Sequence, residues 1–199
     1  MRQTGVIDLG VGNFANVCRA LDADMIQSPE EINDYRRIVL PGVGSFDGIA
    51  QKIDGYRTAI QTFLATGRPF LGICLGMQLL FEGSEEGEKE GLGLLNGKIV
   101  KFQGVQTPHM GWNSVAFTQQ ELTGQHPSQP YFYFVHSYYL PQRGKDYEWG
   151  ISEHVGEKTV RFCSAVKKDN IVGVQFHPEK SGKTGKAFLQ WFLSKEVTK

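Results

Sequence analysis

Gly72-Ile73-Cys74-Leu75-Gly76 sets a cysteine between two glycines, after the apolar stretch RPFLGIC and before LGMQLLFEG. This is the G-x-nucleophile-x-G form of a nucleophile elbow, with a thiol where many hydrolases carry a hydroxyl. The nucleophile of such an elbow sits in a strained turn, and bulky flanking residues would clash with the neighbouring backbone. A helix starting at Leu75 would aim free N–H groups at the sulfur, favouring its anionic form. The same N–H groups could hold an oxyanion. A buried packing cysteine is the competing reading of Cys74 alone. Cys18, in an amphipathic stretch, and Cys163, in a strand-like one, lack the glycine context and read as filler.

A thiol nucleophile needs a base. Of five histidines, His177 stands out, because Glu179 follows it across Pro178. Alternate residues of an extended segment point to one side, and proline biases its predecessor toward extended backbone. A carboxylate beside an imidazole selects its tautomer and stabilises the imidazolium. A strand-end histidine with a surface glutamate is the plainer alternative. A zinc role requires His-Glu-x-x-His or a following Pro-Cys-x-x-Cys, and the sequence has neither. No metal and no cofactor is expected.

Alternating strand and helix signals position these residues. GVIDL (5–9), RRIVL (36–40) and RPFLGIC (68–74) read as buried strands. FANVCRAL (14–21), 46–54, 57–66 and 75–83 read as helices, and Pro41-Gly42-Val43-Gly44 as a break. Such alternation predicts a doubly wound α/β fold with a mostly parallel central sheet, flavodoxin-like in kind. In the second half, 98–102, 112–117, 131–136, 149–153, 159–166 and 171–176 read as strands, expected as antiparallel additions. A terminal helix is expected over 181–195, and a solvated loop over 83–91. One domain, 1–199, accommodates all of this.

Composition narrows the function. Lys plus Arg and Asp plus Glu are 21 each, so the basic excess typical of nucleic-acid or membrane-surface binding is missing. No apolar run is long enough to span a membrane and no export signal is evident. Three scattered cysteines make neither a disulfide framework nor a metal pair, and point to a reducing cytoplasm.

GICLGMQ around Cys74 and GVQFHPE around His177 and Glu179 together resemble the motifs of class I glutamine amidotransferases. LPGVGSF (40–46), HMGWN (109–113), YFVHSY (133–138) and HPEKSG (177–182) are similar, in the same order along the chain, to the subfamily serving imidazole glycerol phosphate synthases. The resemblance implies that Cys74, His177 and Glu179 form the catalytic set. It implies oxyanion donors at the backbone of Leu75 and in the Gly42–Gly44 loop, at Val43, where glycines let a peptide flip inward. It further implies that Gln78, Glu86 and backbone near Ser137 and Tyr138 hold glutamine, alongside Gly42 and Gly44. Asn13, Trp112 and Lys180 match positions near a partner interface.

The implied partner is a (β/α)8 cyclase subunit, forming a heterodimer that makes imidazole glycerol phosphate and aminoimidazole carboxamide ribotide in histidine biosynthesis. No stretch of the chain is left over for an ammonia acceptor. A paralogue feeding a different synthase, for example in surface-sugar biosynthesis, satisfies the same motifs. Gly10-Val11-Gly12-Asn13-Phe14-Ala15 also fits a dinucleotide-binding turn, though no acidic residue clearly ends the following strand. A thiol hydrolase of α/β-hydrolase type would place its acid before its histidine, opposite to the order here. A non-catalytic scaffold would not need all three residue types.

Overall fold

The structure is a computed structural model that describes residues 1–10, 14–118 and 129–195. In chain order the first half contains β1 (Arg2–Ile7), α1 (Phe14–Leu21), β2 (Asp24–Ile26), β3 (Tyr35–Gly42), α2 (Phe46–Ile53), α3 (Arg57–Ala65), β4 (Phe70–Cys74) and α4 (Leu75–Gln78). The second half adds β5 (Gly83–Ser84), β6 (Lys98–Lys101), β7 (His109–Ser114), β8 (Ala116–Phe117), β9 (Tyr131–His136) and β10 (Tyr138–Pro141). It closes with β11 (Glu148–Val155), β12 (Thr159–Lys168), β13 (Ile171–Val174) and α5 (Gly182–Leu193).

The large sheet runs β2-β1-β3-β4-β13-β12-β10-β6-β5. Its first five strands are parallel, in the order of flavodoxin-like sheets. Beyond β13 the pairings with β12, β10 and β6 are antiparallel, and β11 and β8 extend β12 on a side branch. β7 and β9 form a separate antiparallel pair. The doubly wound sheet with antiparallel additions is thus the architecture observed.

Both sheet faces are covered, which is why the parallel strands read as unbroken apolar runs. Ile7, Ile38, Leu40 and Phe70 pack on one face with Ile49, Ile53, Ile60 and Phe63 of α2 and α3. Val6, Val39, Leu71 and Ile73 pack on the other with Val17 of α1 and Phe188, Leu189 and Phe192 of α5. Alternation between the two clusters follows the strand period of two. Each such fully buried side chain contributes roughly 1.5–3 kcal/mol.

Several expectations are corrected. Strand β3 continues through Pro41 and Gly42, which pair with Ile73 and Cys74 of β4. Proline's restricted φ is compatible with a strand, so the departure from the sheet begins only at Val43. Helix α4 is one short turn rather than a helix to residue 83. Backbone N–H groups of Leu92, Gly93 and Leu94 take the carbonyls of Leu79, Phe81 and Leu80, ending the helix by folding the chain back on it. The 112–117 stretch is two strands, split at fully buried Val115. Short strands β2, β5 and β10 escaped the reading. The 83–91 segment is partly anchored: its Glu88 and Lys89 N–H groups donate to Asp47 at the start of α2.

Candidate active site

Cys74 ends β4 and enters α4 with φ 55° and ψ −110°, a strained conformation for a residue with a Cβ. The two glycines make that bend possible. A Cβ on Gly72 would lie 2.6 Å from the Gly76 carbonyl oxygen, and one on Gly76 would collide with the Leu40 carbonyl. The helix start is therefore pressed onto the ends of β3 and β4, and the side chain of Cys74 is thrown to the carboxyl edge of the sheet. That edge is where open α/β sheets bind ligands.

His177 follows β13, whose parallel neighbour in the sheet is β4. Its N–H donates to the Tyr133 carbonyl of β9 at 2.8 Å, tying the segment to the β7–β9 pair. Residues Pro178–Lys180 form a single 3₁₀ turn, closed by Ser181, whose hydroxyl donates to the His177 carbonyl at 2.6 Å. Glu179 thus reaches back from a turn, not along an extended segment as the spacing had suggested. Its Oε1 lies 2.8 Å from His177 Nδ1, with both side chains buried.

The other ring nitrogen, Nε2, is buried without a well-aligned hydrogen bond, as is Glu179 Oε2. Burial works against a charged imidazole here. The Cys74 sulfur and the Glu179 carboxylate outweigh it and raise His177 from its ordinary value to about 10. The ring and the sulfur line one cleft, with no aligned bond joining them in this conformation.

Cys74 and His177 open onto one cleft of about 280 Å³. The cleft brings together Val43, Gly44, Leu75, Gln78, Glu86, Ser137 and Tyr138 from four separated stretches of sequence. Gly44 has φ +115°, a conformation that side chains rarely adopt. Gly42 does not line the cleft; it packs beneath it against Leu75 and Gly76. Glu86 accepts from the Phe46 N–H at 2.8 Å, at the first turn of α2. Gln78 is buried rather than an exposed helix polar, and its amide nitrogen donates to the Tyr138 carbonyl and to Gln175 Oε1. Trp112 and Lys180 lie outside the cleft and are exposed, with Trp112 within 4.0 Å of the position a Gly182 Cβ would take. Asn13 lies outside the described residues, as do residues 11 and 12 of the dinucleotide-like turn.

Reading the sequence missed Pro108, Val135 and His136, which also line the cleft, and Gln175, which touches the sulfur. His136 accepts or donates within a chain of polar contacts whose direction is set at its ends. His136 Nδ1 faces the Tyr138 carbonyl at 2.8 Å, so that nitrogen carries the proton. Its Nε2 must then accept from His109 Nδ1 at 3.0 Å, and His109 Nε2 accepts from Asn113 at 3.1 Å. Burial, aided by neighbouring His154, lowers His109 to about 4. Burial, aided by His109, lowers His136 to about 3. Both rings are neutral near pH 7. Among the described residues no three His, Cys, Asp or Glu side chains gather as a metal site. Among the described residues no helix is long and apolar enough to cross a membrane.

A strained cysteine beside an imidazole oriented by a carboxylate can perform nucleophilic acyl transfer. Comparison with known proteins names the family. The family described as glutamine amidotransferase class-I matches residues 8–195. The chain is 48% identical over 192 residues to the imidazole glycerol phosphate synthase subunit HisH of Thermococcus kodakarensis, covering 94% of this chain and 97% of that one. It is 45% identical to the HisH subunit of Pyrococcus furiosus, covering 96% and 98% of the two chains. Among solved structures, a glutamine amidotransferase superposes with TM-score 0.73 at 17% identity over 96% of each chain. PurLQS from Thermotoga maritima superposes equally, TM-score 0.73 at 20% identity, over 96% of this chain and 97% of that one. The structural likeness speaks to the fold, the sequence likeness to descent: the chain belongs to the class-I glutamine amidotransferase family, in the company of HisH subunits.

Proposed function

We propose that this protein hydrolyses glutamine to glutamate and ammonia through Cys74, His177 and Glu179. The observation carrying the proposal is the buried His177–Glu179 pair opening onto the same cleft as the strained Cys74. The sulfur attacks the side-chain carboxamide carbon of glutamine. His177 delivers the proton to the departing nitrogen, which leaves as ammonia, and a glutamyl thioester remains. Water, deprotonated by the same imidazole, then adds to the thioester; the carbon–sulfur bond breaks, glutamate leaves and the thiol is restored.

The Leu75 N–H, directly after the nucleophile at the start of α4, is one oxyanion donor; the loop at Val43 and Gly44 supplies the other. Gln78, Glu86, Ser137 and Tyr138 line the space left for the amino-acid end of the substrate. Ammonia passes to a (β/α)8 cyclase subunit, which uses it to form imidazole glycerol phosphate and aminoimidazole carboxamide ribotide in histidine biosynthesis, in the cytoplasm. The names of the relatives support this acceptor over a surface-sugar synthase. Exposed Met110, Trp112 and Tyr131 on the outer side of β7–β9 offer an apolar face for that subunit.

Cys74→Ala tests the reading. Glutamine-dependent turnover disappears while ammonia-dependent synthesis by the assembled complex continues. Glutaminase activity surviving in that variant removes Cys74 from the mechanism.

A further inference from the structure

Gln175 is the first residue beyond β13, and its side chain is fully buried beside the cleft. The register of β13 on β4 pairs Val174 with Ile73, so the next residue on each strand is Gln175 and Cys74, side by side. Gln175 Nε2 lies 3.6 Å from Cys74 Sγ. Among the described residues the sulfur's other hydrogen-bond contact is the Val135 carbonyl at 4.0 Å, which can serve a thiol but repels an anion.

The orientation of the Gln175 amide is set by a chain of constraints ending at one carbonyl. The Tyr138 carbonyl can only accept, so Gln78 presents its NH₂ group there, at 3.1 Å. The second hydrogen of that group faces Gln175 at 2.9 Å, which requires the Gln175 oxygen on that side. The NH₂ of Gln175 is thereby turned to the sulfur. His136 Nδ1 donates to the same Tyr138 carbonyl and holds it in place. A buried amide locked in this way is already oriented when the sulfur becomes charged.

We propose that Gln175 is a further catalytic residue, whose carboxamide N–H donates to the Cys74 sulfur when it is anionic, with Gln78 as the positioning residue that prevents the amide from flipping. The inference rests on Cys74 being the nucleophile. The contact acts twice in a turnover: before attack, when the sulfur holds the lone pair that forms the carbon–sulfur bond, and at thioester breakdown, when that bonding pair returns to sulfur. In the thioester between those moments the sulfur is neutral and the donor contributes little.

The test is the pH dependence of Cys74 alkylation by iodoacetamide on the full chain, followed on the Cys74 peptide by mass spectrometry so that Cys18 does not interfere. Gln175→Glu keeps the shape but sets an oxygen against the sulfur, and Gln175→Leu removes the donor. Both displace the alkylation profile to higher pH by about one unit, a tenfold change, as expected for losing a hydrogen bond to a charged group. Glutaminase kcat falls about tenfold or more with KM nearly unchanged, since the donor acts on charge formed during reaction. Gln78→Leu moves the alkylation profile the same way; alkylation does not involve glutamine, so a substrate-binding role of Gln78 leaves it unmoved. If the Gln175 variants fail to fold, Gln78→Leu decides. Profiles superimposing on the wild type in the folded variants overturn the inference. Cys74→Ala, run alongside, separates the failures: activity surviving there overturns the function itself, whereas its loss with unmoved Gln175 profiles overturns only the role of Gln175.

Discussion

His177 Nδ1 stands 2.8 Å from Glu179 Oε1 although a proline separates the two residues, because the 3₁₀ turn at Pro178–Lys180 bends the carboxylate back over the ring. The contact selects the tautomer that leaves Nε2 toward the cleft. Glu179→Gln keeps the shape and removes the charge. Glutaminase kcat is expected to fall by about 10²-fold or more, with a smaller change in KM. Steady-state kinetics at pH 7 to 8 check this, and an unchanged kcat would refute the orienting role.

The Cys74 sulfur and the Glu179 carboxylate together make His177 a source of stability that fades at alkaline pH. His177 binds its proton more tightly folded, to about 10, than an unperturbed histidine near 6.5. The stability this supplies is complete below pH 6.5 and is lost as pH rises toward 10. Thermal melts of the wild type between pH 6.5 and 10 therefore fall with pH, and those of His177→Asn fall less.

On the acid side the sign reverses. His109 and His136 are held at about 4 and about 3, so the unfolded chain takes up protons below pH 6.5 that the folded chain refuses. Stability declines as pH falls, by up to about 1.4 kcal/mol per pH unit for each proton so excluded. A His136→Gln variant is less stable than the wild type at pH 7, yet loses less between pH 6.5 and 4.5. Denaturant titrations at the two pH values measure the difference; equal losses would contradict the neutral relay.

Gly76→Ala probes the bend itself. The added methyl meets the Leu40 carbonyl at the end of β3, and backbone cannot yield as a flexible side chain would. We expect a cost of about 1–3 kcal/mol and a displaced α4. Because α4 carries Leu75 and Gln78, activity is lost more steeply than stability. Retained kcat with an unchanged melting temperature would mean the approach is looser than described.

Trp112 tests the docking face. It is 57% exposed on the outer side of β7 and contacts the Tyr133 ring edge-on at 6.2 Å. Trp112→Ala is expected to leave the isolated chain folded and to weaken binding to the proposed cyclase subunit by about 2 kcal/mol, the scale of an aromatic anchor in an interface. Titration calorimetry with the purified cyclase reads the change. Undiminished affinity would place the interface elsewhere.

Geometry carried by short local patterns was legible in the sequence. The glycines around Cys74 mark a bend because no other residue tolerates those contacts, and His-Pro-Glu keeps an imidazole and a carboxylate neighbours in the chain, though the 3₁₀ turn that joins them was not legible. Strand–helix alternation declared the doubly wound sheet, because burial on both faces leaves continuous apolar runs. Strands β2 and β10, three and four residues long, have no such run to betray them. Gln175 lies within the stretch 171–176 and His136 ends the stretch 131–136, both read simply as strands, with no local pattern to single either residue out. Only the pairing of β13 with β4, residues separated by about a hundred positions, sets an amide beside the sulfur. Only the packing of β10 and α4 gives one carbonyl to both Gln78 and His136. Contacts of that kind depend on register between distant segments, and no local pattern of residues encodes it.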